Sequence, residues 1–247
     1  MKLNINDRAA LAIKNNTKRV EIRANNSNHD YSKLKENDII EFNSDALGTF
    51  YTKVKEVNHY DSIEELLTLE GTRYTLSSTN DFDKGVASIN GIDGYKEAIS
   101  KSGVYAIHIN YLYSENTVWD ELYEKALSVR NPRSVSGLIS AGAVGAAILT
   151  KNHNIYTGVC VDTASTLGTC GERNAIFNMI TNGENEIAKL VCICGNGKVG
   201  SPCGACREYL MQLSPNSGDI EILKDKDTKE TVMLRQLVPD WWAKDRV

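Results

Sequence analysis

No stretch of this 247-residue chain approaches the ~20 consecutive apolar residues that a membrane-spanning helix needs. The opening residues, Met1-Lys2-Leu3-Asn4-Ile5-Asn6-Asp7, lack the apolar core of a secretory leader. A strong charge of either sign is also missing: the net charge is −4, shared evenly between the residues before 114 and those after. No global attraction to a polyphosphate backbone follows from such a balance, so a small-molecule substrate is the first expectation. Internal repeats and low-complexity tracts are absent. The six cysteines do not read as a disulfide framework, because three of them fall in metal-ligand spacing. Cys192 and Cys194 alternate along an apolar segment, where cysteine behaves as a small hydrophobe. The expected compartment is the reducing cytoplasm, with no membrane partner.

Against these absences stand Cys170-Gly171-Glu172 and Pro202-Cys203-Gly204-Ala205-Cys206. Three cysteines in this pattern supply soft thiolate ligands that suit Zn²⁺ and leave one tetrahedral position open for water. A closed structural zinc site would need a fourth protein ligand, and no His or Cys lies near enough in sequence. A redox pair formed by Cys203 and Cys206 would leave Cys170 and Glu172 without a role. The expected metal ligands are therefore Cys170, Cys203 and Cys206. Glu172 is the expected proton carrier for attack of hydroxide on an aromatic amidine carbon. Both clusters precede helix-compatible stretches, and helix N-termini favour thiolates. Three thiolates on one divalent ion carry a net negative charge, and Arg173 can offset it by donating to a ligand sulfur. Arg207 is a weaker candidate for the same task.

The two halves of the chain have different grammar. Before about residue 113, short β-branched or aromatic runs (20–23, 39–42, 50–54 and 104–109) are punctuated by polar loops, as in a small barrel. Residues 61–70 read as a short helix burying Ile63, Leu66 and Leu67. From Thr117 the expected order is helix, strand, strand, helix, strand, helix, strand, an α/β sandwich with a partly parallel sheet. The expected domains are residues 1–113 and 114–247.

Residues from about 118 to 242 resemble the small three-cysteine cytidine deaminases, including their blasticidin-S deaminase branch. The resemblance rests on Val144-Gly145-Ala146-Ala147, Ile155-Tyr156-Thr157-Gly158, Cys170-Gly171-Glu172-Arg173, Pro202-Cys203-Gly204-Ala205-Cys206-Arg207 and Leu234-Arg235-Gln236-Leu237-Val238-Pro239. It implies an α/β sandwich with a mixed sheet, hydrolytic deamination of a cytosine-like nucleoside or analogue, and a homo-dimer or homo-tetramer. The C-terminal Trp241-Trp242 would serve as an apolar anchor for such an assembly, or else cap its own core. The resemblance also implies substrate contacts near Gly142, Ala143, Cys160, Asp162, Gly171 and Pro202. Gly142 stands where the family has a base-packing phenylalanine. Cys160 and Asp162 replace its ribose-binding Asn and Glu, and Gly171 replaces an alanine and would widen the pocket. Unmodified cytidine is accordingly expected to be a poor substrate.

Residues 1–113 resemble an ASCH-type domain of the PUA-like barrels through Lys18-Arg19-Val20-Glu21-Ile22-Arg23, Asn37-Asp38-Ile39-Ile40-Glu41-Phe42 and Gly103-Val104-Tyr105-Ala106-Ile107. The resemblance implies a ligand site for RNA or a modified nucleoside near Lys18, Glu21, Arg23 and Glu70. The competing expectation for Lys18, Glu21 and Arg23 is an exposed strand face carrying ion pairs.

Overall fold

A computed structural model of the chain describes residues 1–244 and residue 246. The chain divides into two compact units, Met1–Asn116 and Thr117–Val247.

The N-terminal unit is built on a five-stranded sheet ordered β1-β3-β4-β5-β2, from β1 (Lys2–Asn4), β2 (Val20–Arg23), β3 (Ile39–Ser44), β4 (Gly48–Tyr60) and β5 (Val104–Ser114). Only β1 and β3 run parallel. The sheet is curled but its ladder does not close into the expected small barrel: β1 and β2 are its two edges. A side chain bridges the gap, since Arg23 Nη2 donates to the Asn4 carbonyl at 3.0 Å. Residues 104–107 of β5 are apolar and buried on both faces. Tyr105, Ile107 and Ile109 face a core with Tyr31, Phe42 and Phe50, while Val104 and Ala106 face a second core with Ile63, Leu66 and Leu67. The second core is closed by α2 (Ile63–Glu70), α3 (Phe82–Asn90) and α4 (Tyr95–Ser102). Helix α2 starts where Ser62 Oγ accepts from Glu65 N and stops at Gly71, whose φ of +75° ends the helical path. Helix α1 (Asp7–Lys14) is capped by Asn6 and buries Ala9, Ala10 and Ile13.

The C-terminal unit holds a mixed sheet centred on β7 (Ile139–Thr150). On one side β7 pairs antiparallel with β8 (Ile155–Thr163), through a tight turn in which His153 adopts φ +64°. Its other pairings are with β6 (Arg133–Ser136) and β9 (Ile187–Ile193), both antiparallel. Strand β9 pairs parallel with β10 (Glu221–Leu223), and β11 (Thr231–Met233) closes the edge. The helices are α5 (Val118–Val129), α6 (Gly171–Thr181), α7 (Gly204–Met211) and α8 (Leu234–Leu237). Helix α5 buries Val118, Leu122 and Ala126 as its apolar spacing requires. Helix α6 lies directly on β8 at Gly158, where an added Cβ would stand 2.2 Å from the Ala175 nitrogen. That close approach fixes the height of the helix over the sheet.

Trp241 is buried at 5% exposure and Trp242 is exposed at 64%, so the pair divides between capping its own unit and facing solvent. Both indoles donate to Glu208 of α7, each at 2.9 Å. Among the described residues, no helix is long and apolar enough to cross a membrane.

Candidate active site

Cys170 and Cys203 occupy equivalent places, each the N-cap residue of its helix, α6 and α7, in extended backbone. From these two N-cap positions both sulfurs converge with Cys206 from the first turn of α7. Cys170 Sγ lies 3.7 Å from Cys203 Sγ, which lies 3.6 Å from Cys206 Sγ. All three sulfurs fall within 4.8 Å of one another. Tetrahedral Zn–S bonds of about 2.3 Å would put sulfurs roughly 3.8 Å apart, so the donor set and its spacing fit Zn²⁺. The negative character of the Cys170 and Cys206 sulfurs outweighs burial at Arg173 and raises its pKa, while its Nε is buried without a hydrogen-bond partner among the described residues.

The electrostatics point the same way. Burial pushes the Cys206 thiol strongly up, and the neighbouring Glu172 carboxylate adds to it. Burial likewise raises Cys170, with the Cys203 sulfur contributing. At Cys203 the burial is outweighed by donation from the Cys206 backbone N–H, and its pKa falls. Three sulfurs beside a buried carboxylate disfavour further negative charge unless a cation joins them.

The cluster opens onto a cavity of about 580 Å³. Glu172, only 3% exposed, lines it. Five of the six cysteines, Cys160, Cys170, Cys192, Cys194 and Cys203, stand in its wall, and Cys206 completes the sulfur cluster behind them. Cys160 Sγ accepts from Val144 N at 3.2 Å and reaches toward Asp162 Oδ2 at 3.8 Å. Thr169 Oγ1 is buried in the same wall with no protein partner among the described residues.

A sequence profile of the "Cytidine and deoxycytidylate deaminase zinc-binding region" matches residues 119–217. The cytidine deaminase of Mycobacterium tuberculosis is 33% identical over 104 residues, which span 42% of this chain and 74% of the relative. The chain belongs to the cytidine deaminase family. The cytidine deaminase of Sporosarcina psychrophila is 28% identical over 103 residues, 41% of this chain and 76% of that protein. A blasticidin-S deaminase from Bacillus cereus is 29% identical over 105 residues, 39% of this chain and 74% of its own length. The crystal structure of the Mycobacterium tuberculosis cytidine deaminase superposes with a TM-score of 0.42 at 27% identity, covering 50% of this chain and 96% of that one. This family member is a zinc-dependent hydrolytic deaminase, and Zn²⁺ is its cofactor.

Of the substrate contacts expected from the family resemblance, Ala143, Cys160 and Asp162 line the cavity. Gly142, Gly171 and Pro202 do not. Gly142 sits at a register shift of β7 with φ +85°, and a Cβ there would meet the Asn131 carbonyl at 2.0 Å. No side chain at this position reaches the cavity without rebuilding the bulge. Gly171 cannot widen the pocket either, because an added Cβ would face the carbonyl oxygens of Gly158 and Val144 at 3.3 Å. Pro202 instead accepts a hydrogen bond from Arg207 Nε at 2.8 Å, which ties Arg207 to the loop before α7. Cys192 and Cys194 escaped the sequence reading. Their alternation was visible, but only the pairing of β9 with β7 shows which way it faces.

In the N-terminal unit, Lys18, Glu21 and Arg23 do assemble, but not on an exposed face. Lys18 and Glu21 are each 6% exposed. Lys18 Nζ donates to the carbonyls of Val20, at 2.7 Å, and Thr75, and pairs with Glu21 Oε2 at 3.4 Å. Arg23 Nε pairs with Glu21 Oε1 at 2.9 Å. Burial lowers the Lys18 pKa, with Glu21 opposing. The three residues line a cavity of about 290 Å³ that also includes Thr75, whose hydroxyl is buried without a partner among the described residues. Glu70 is not in that wall. It accepts from Asn58 at 3.0 Å and Tyr60 at 2.7 Å and pairs with His108 at 2.9 Å. Burial would raise its pKa, but these partners outweigh it and hold the carboxyl below its ordinary value.

Proposed function

We propose that the C-terminal unit hydrolyses the exocyclic amine of a cytosine-like nucleoside or analogue, giving the keto compound and ammonia. In this reading Cys170, Cys203 and Cys206 hold the Zn²⁺ and Glu172 moves the protons. The observation that carries it is three sulfurs within 4.8 Å of one another at the floor of a cavity that also contains a buried carboxylate. Zn²⁺ bound there supplies a Lewis acid that makes water a nucleophile near neutral pH. Glu172, held in the first turn of α6, takes a proton from the attacking water and passes it to the ring nitrogen. It then carries the second proton to the amino group as the C–N bond breaks. The Arg173 guanidinium, electrostatically coupled to the Cys170 and Cys206 sulfurs, offsets part of their negative charge.

The wall argues for a substrate other than plain cytidine. Cys160 is a weak hydrogen-bonding partner for a sugar hydroxyl, and Asp162 offers a shorter carboxylate than the family's usual Glu. A blasticidin-S-like antibiotic is the alternative substrate, supported by the Bacillus cereus relative. Exposed Phe177 and Ile180 of α6 and Leu138 and Leu167 support assembly into a homo-dimer or homo-tetramer. A cytoplasmic location accords with the free cysteines. Ammonia release from the zinc-loaded protein against a panel of cytosine, cytidine, deoxycytidine, cytidine monophosphate, methylated cytidines and blasticidin S tests the reading. Turnover of at least one compound is expected, with cytidine kcat/KM below ~10⁵ M⁻¹s⁻¹. No ammonia from any compound overturns it.

For the N-terminal unit, with boundaries near residues 1–113, we infer an ASCH-type module that binds RNA or a modified nucleoside. Support comes from the Lys18–Glu21–Arg23 cavity and the unpartnered Thr75 hydroxyl. Salt-dependent binding of short RNA supports the RNA form, and saturable binding of free nucleosides supports the other.

A further inference from the structure

One patch of the N-terminal unit gathers cations that the fold leaves without counter-charges. The guanidiniums of Arg19 and Arg73 pack on the ring of Tyr74, 4.3 Å and 5.1 Å from its centre. Their charges therefore stand within about 10 Å of one another, a screening length at 0.1 M salt. Both arginines are exposed, and neither has an ion-pair partner among the described residues. The backbone sets their places. Arg19 N and Val20 N donate to the Tyr74 carbonyl at 2.7 and 3.1 Å, and Thr72 Oγ1 donates to the Asn80 carbonyl at 2.8 Å, closing the loop that carries Arg73. The contact with Tyr74, and a bond from Arg19 Nε to Asn16 Oδ1 at 2.9 Å, narrow rotamers that exposure alone would leave loose. Arg73 and Tyr74 line a cavity of about 450 Å³. Its wall shares Leu76, Ser77 and Ser78 with the cavity of Lys18, Glu21 and Arg23, so the two are continuous along one rim. Arg8, exposed and likewise without an ion pair among the described residues, lines the Lys18 cavity. Glu21 is the one acid in the two walls, and it is already paired with Lys18 and Arg23. In a half-chain of negative net charge, this groove is a local positive departure.

We propose that the groove binds single-stranded RNA, with Arg19 and Arg73 holding a backbone phosphate beside the nucleoside that enters the Lys18 cavity. This rests on the reading above, that the N-terminal unit takes RNA or a modified nucleoside, and it selects the first. A free nucleoside carries no charge and would leave these arginines idle. A phosphate meets guanidiniums through paired N–H donors and supplies the missing counter-charge. Cations that continue past one cavity into the next suit a chain of successive phosphates. The purely structural account is that Arg19 and Arg73 do no more than cover Tyr74.

The two accounts separate in the salt dependence of binding. Fluorescence anisotropy of a labelled short single-stranded RNA, titrated with the zinc-loaded full chain from about 50 to about 200 mM salt, gives the slope of log K against log salt. Each phosphate neutralised on a single strand contributes about −0.7 to that slope. The double variant Arg19→Gln, Arg73→Gln should flatten it by about 0.7 or more and weaken binding roughly tenfold at the lower salt. The double variant Arg19→Lys, Arg73→Lys keeps both charges and should keep the slope. Lys33→Gln removes an exposed charge that lines neither cavity and should change nothing. An unchanged slope in the glutamine variant, or an equal flattening by Lys33→Gln, overturns the proposal. A second measurement needs no variant: the same strand with uncharged methylphosphonate linkages should bind the parent no better than RNA binds the glutamine variant. Parent binding of the neutral strand as tight as that of RNA overturns the phosphate contact. Saturable binding of free nucleosides without any binding of RNA overturns this proposal and leaves the nucleoside form of the reading standing. Binding of neither overturns that reading itself.

Discussion

The Lys18–Glu21–Arg23 cluster of the N-terminal unit and the Cys170–Cys203–Cys206 cluster of the C-terminal unit both gather ionisable side chains. They are balanced in opposite ways. Around Lys18 every charge finds its answer within the chain: two carbonyls and a carboxylate for the ammonium, an ammonium and a guanidinium for Glu21. Around Cys206 the described residues supply only Arg173 against three sulfurs and Glu172. Burying charge is costly unless it is paired. The first cluster therefore has its charged side chains partnered as folded, with one positive charge in excess, whereas the second is completed by a cation. A group whose charges are partnered within the chain stiffens a fold; a group left one cation short is a metal site.

The sharpest way to break the contrast is to remove the cation. Chelation of Zn²⁺, or Cys203→Ser, should abolish ammonia release and lower the unfolding temperature of the C-terminal unit while the N-terminal transition stays in place. Calorimetry with parallel metal analysis checks this, and a single transition that shifts as a whole would refute the separation. Next in size is Glu172→Gln, which should keep one zinc per chain and lose turnover by about 10²–10⁴-fold, the usual contribution of a positioned proton carrier. Metal content and kcat measured on the same preparation decide it.

On the other side of the comparison, Lys18→Met strands Glu21 with half of its partners. Breaking a buried ion pair by removing one member costs about 3–5 kcal/mol. Denaturant unfolding of the N-terminal unit should show a loss of that order with the zinc content unchanged. The smallest effect belongs to Glu70. Its folded pKa is held down by Asn58, Tyr60 and His108, so its stabilisation is full above the unfolded value near pH ~4.3. That stabilisation disappears as the pH falls through the lowered folded pKa. The parent should therefore melt above Glu70→Gln at neutral pH, with the gap closing in acid; a gap independent of pH would contradict this.

How much of this was readable in the sequence depended on whether the signal was local. Cys170, Glu172, Cys203 and Cys206 were legible because helix starts impose short, fixed spacings. Helix α2 was legible through Ile63, Leu66 and Leu67. Helix α1 was missed although Asn6 and Ile13 carried a cap and an apolar stripe. The low exposure of Lys18 and Glu21 was not legible, since their cover at Thr75 comes from 57 residues away in the chain. Gly142 illustrates the same limit. Alignment with the family suggested a position over the base, but the bulge in β7 turns it onto Asn131. Cys192 and Cys194 needed the sheet register before their direction had any meaning.

The two indoles that share Glu208 make the C-terminus an optical gauge of the metal centre. Glu208 sits two residues beyond Cys206 on the same helix, and Trp241 and Trp242 each hold one of its carboxylate oxygens. Any loosening of α7 on metal loss changes the environment of two of the chain's three tryptophans at once. Intrinsic fluorescence can thus follow zinc entry and exit in real time, with no label and no substrate.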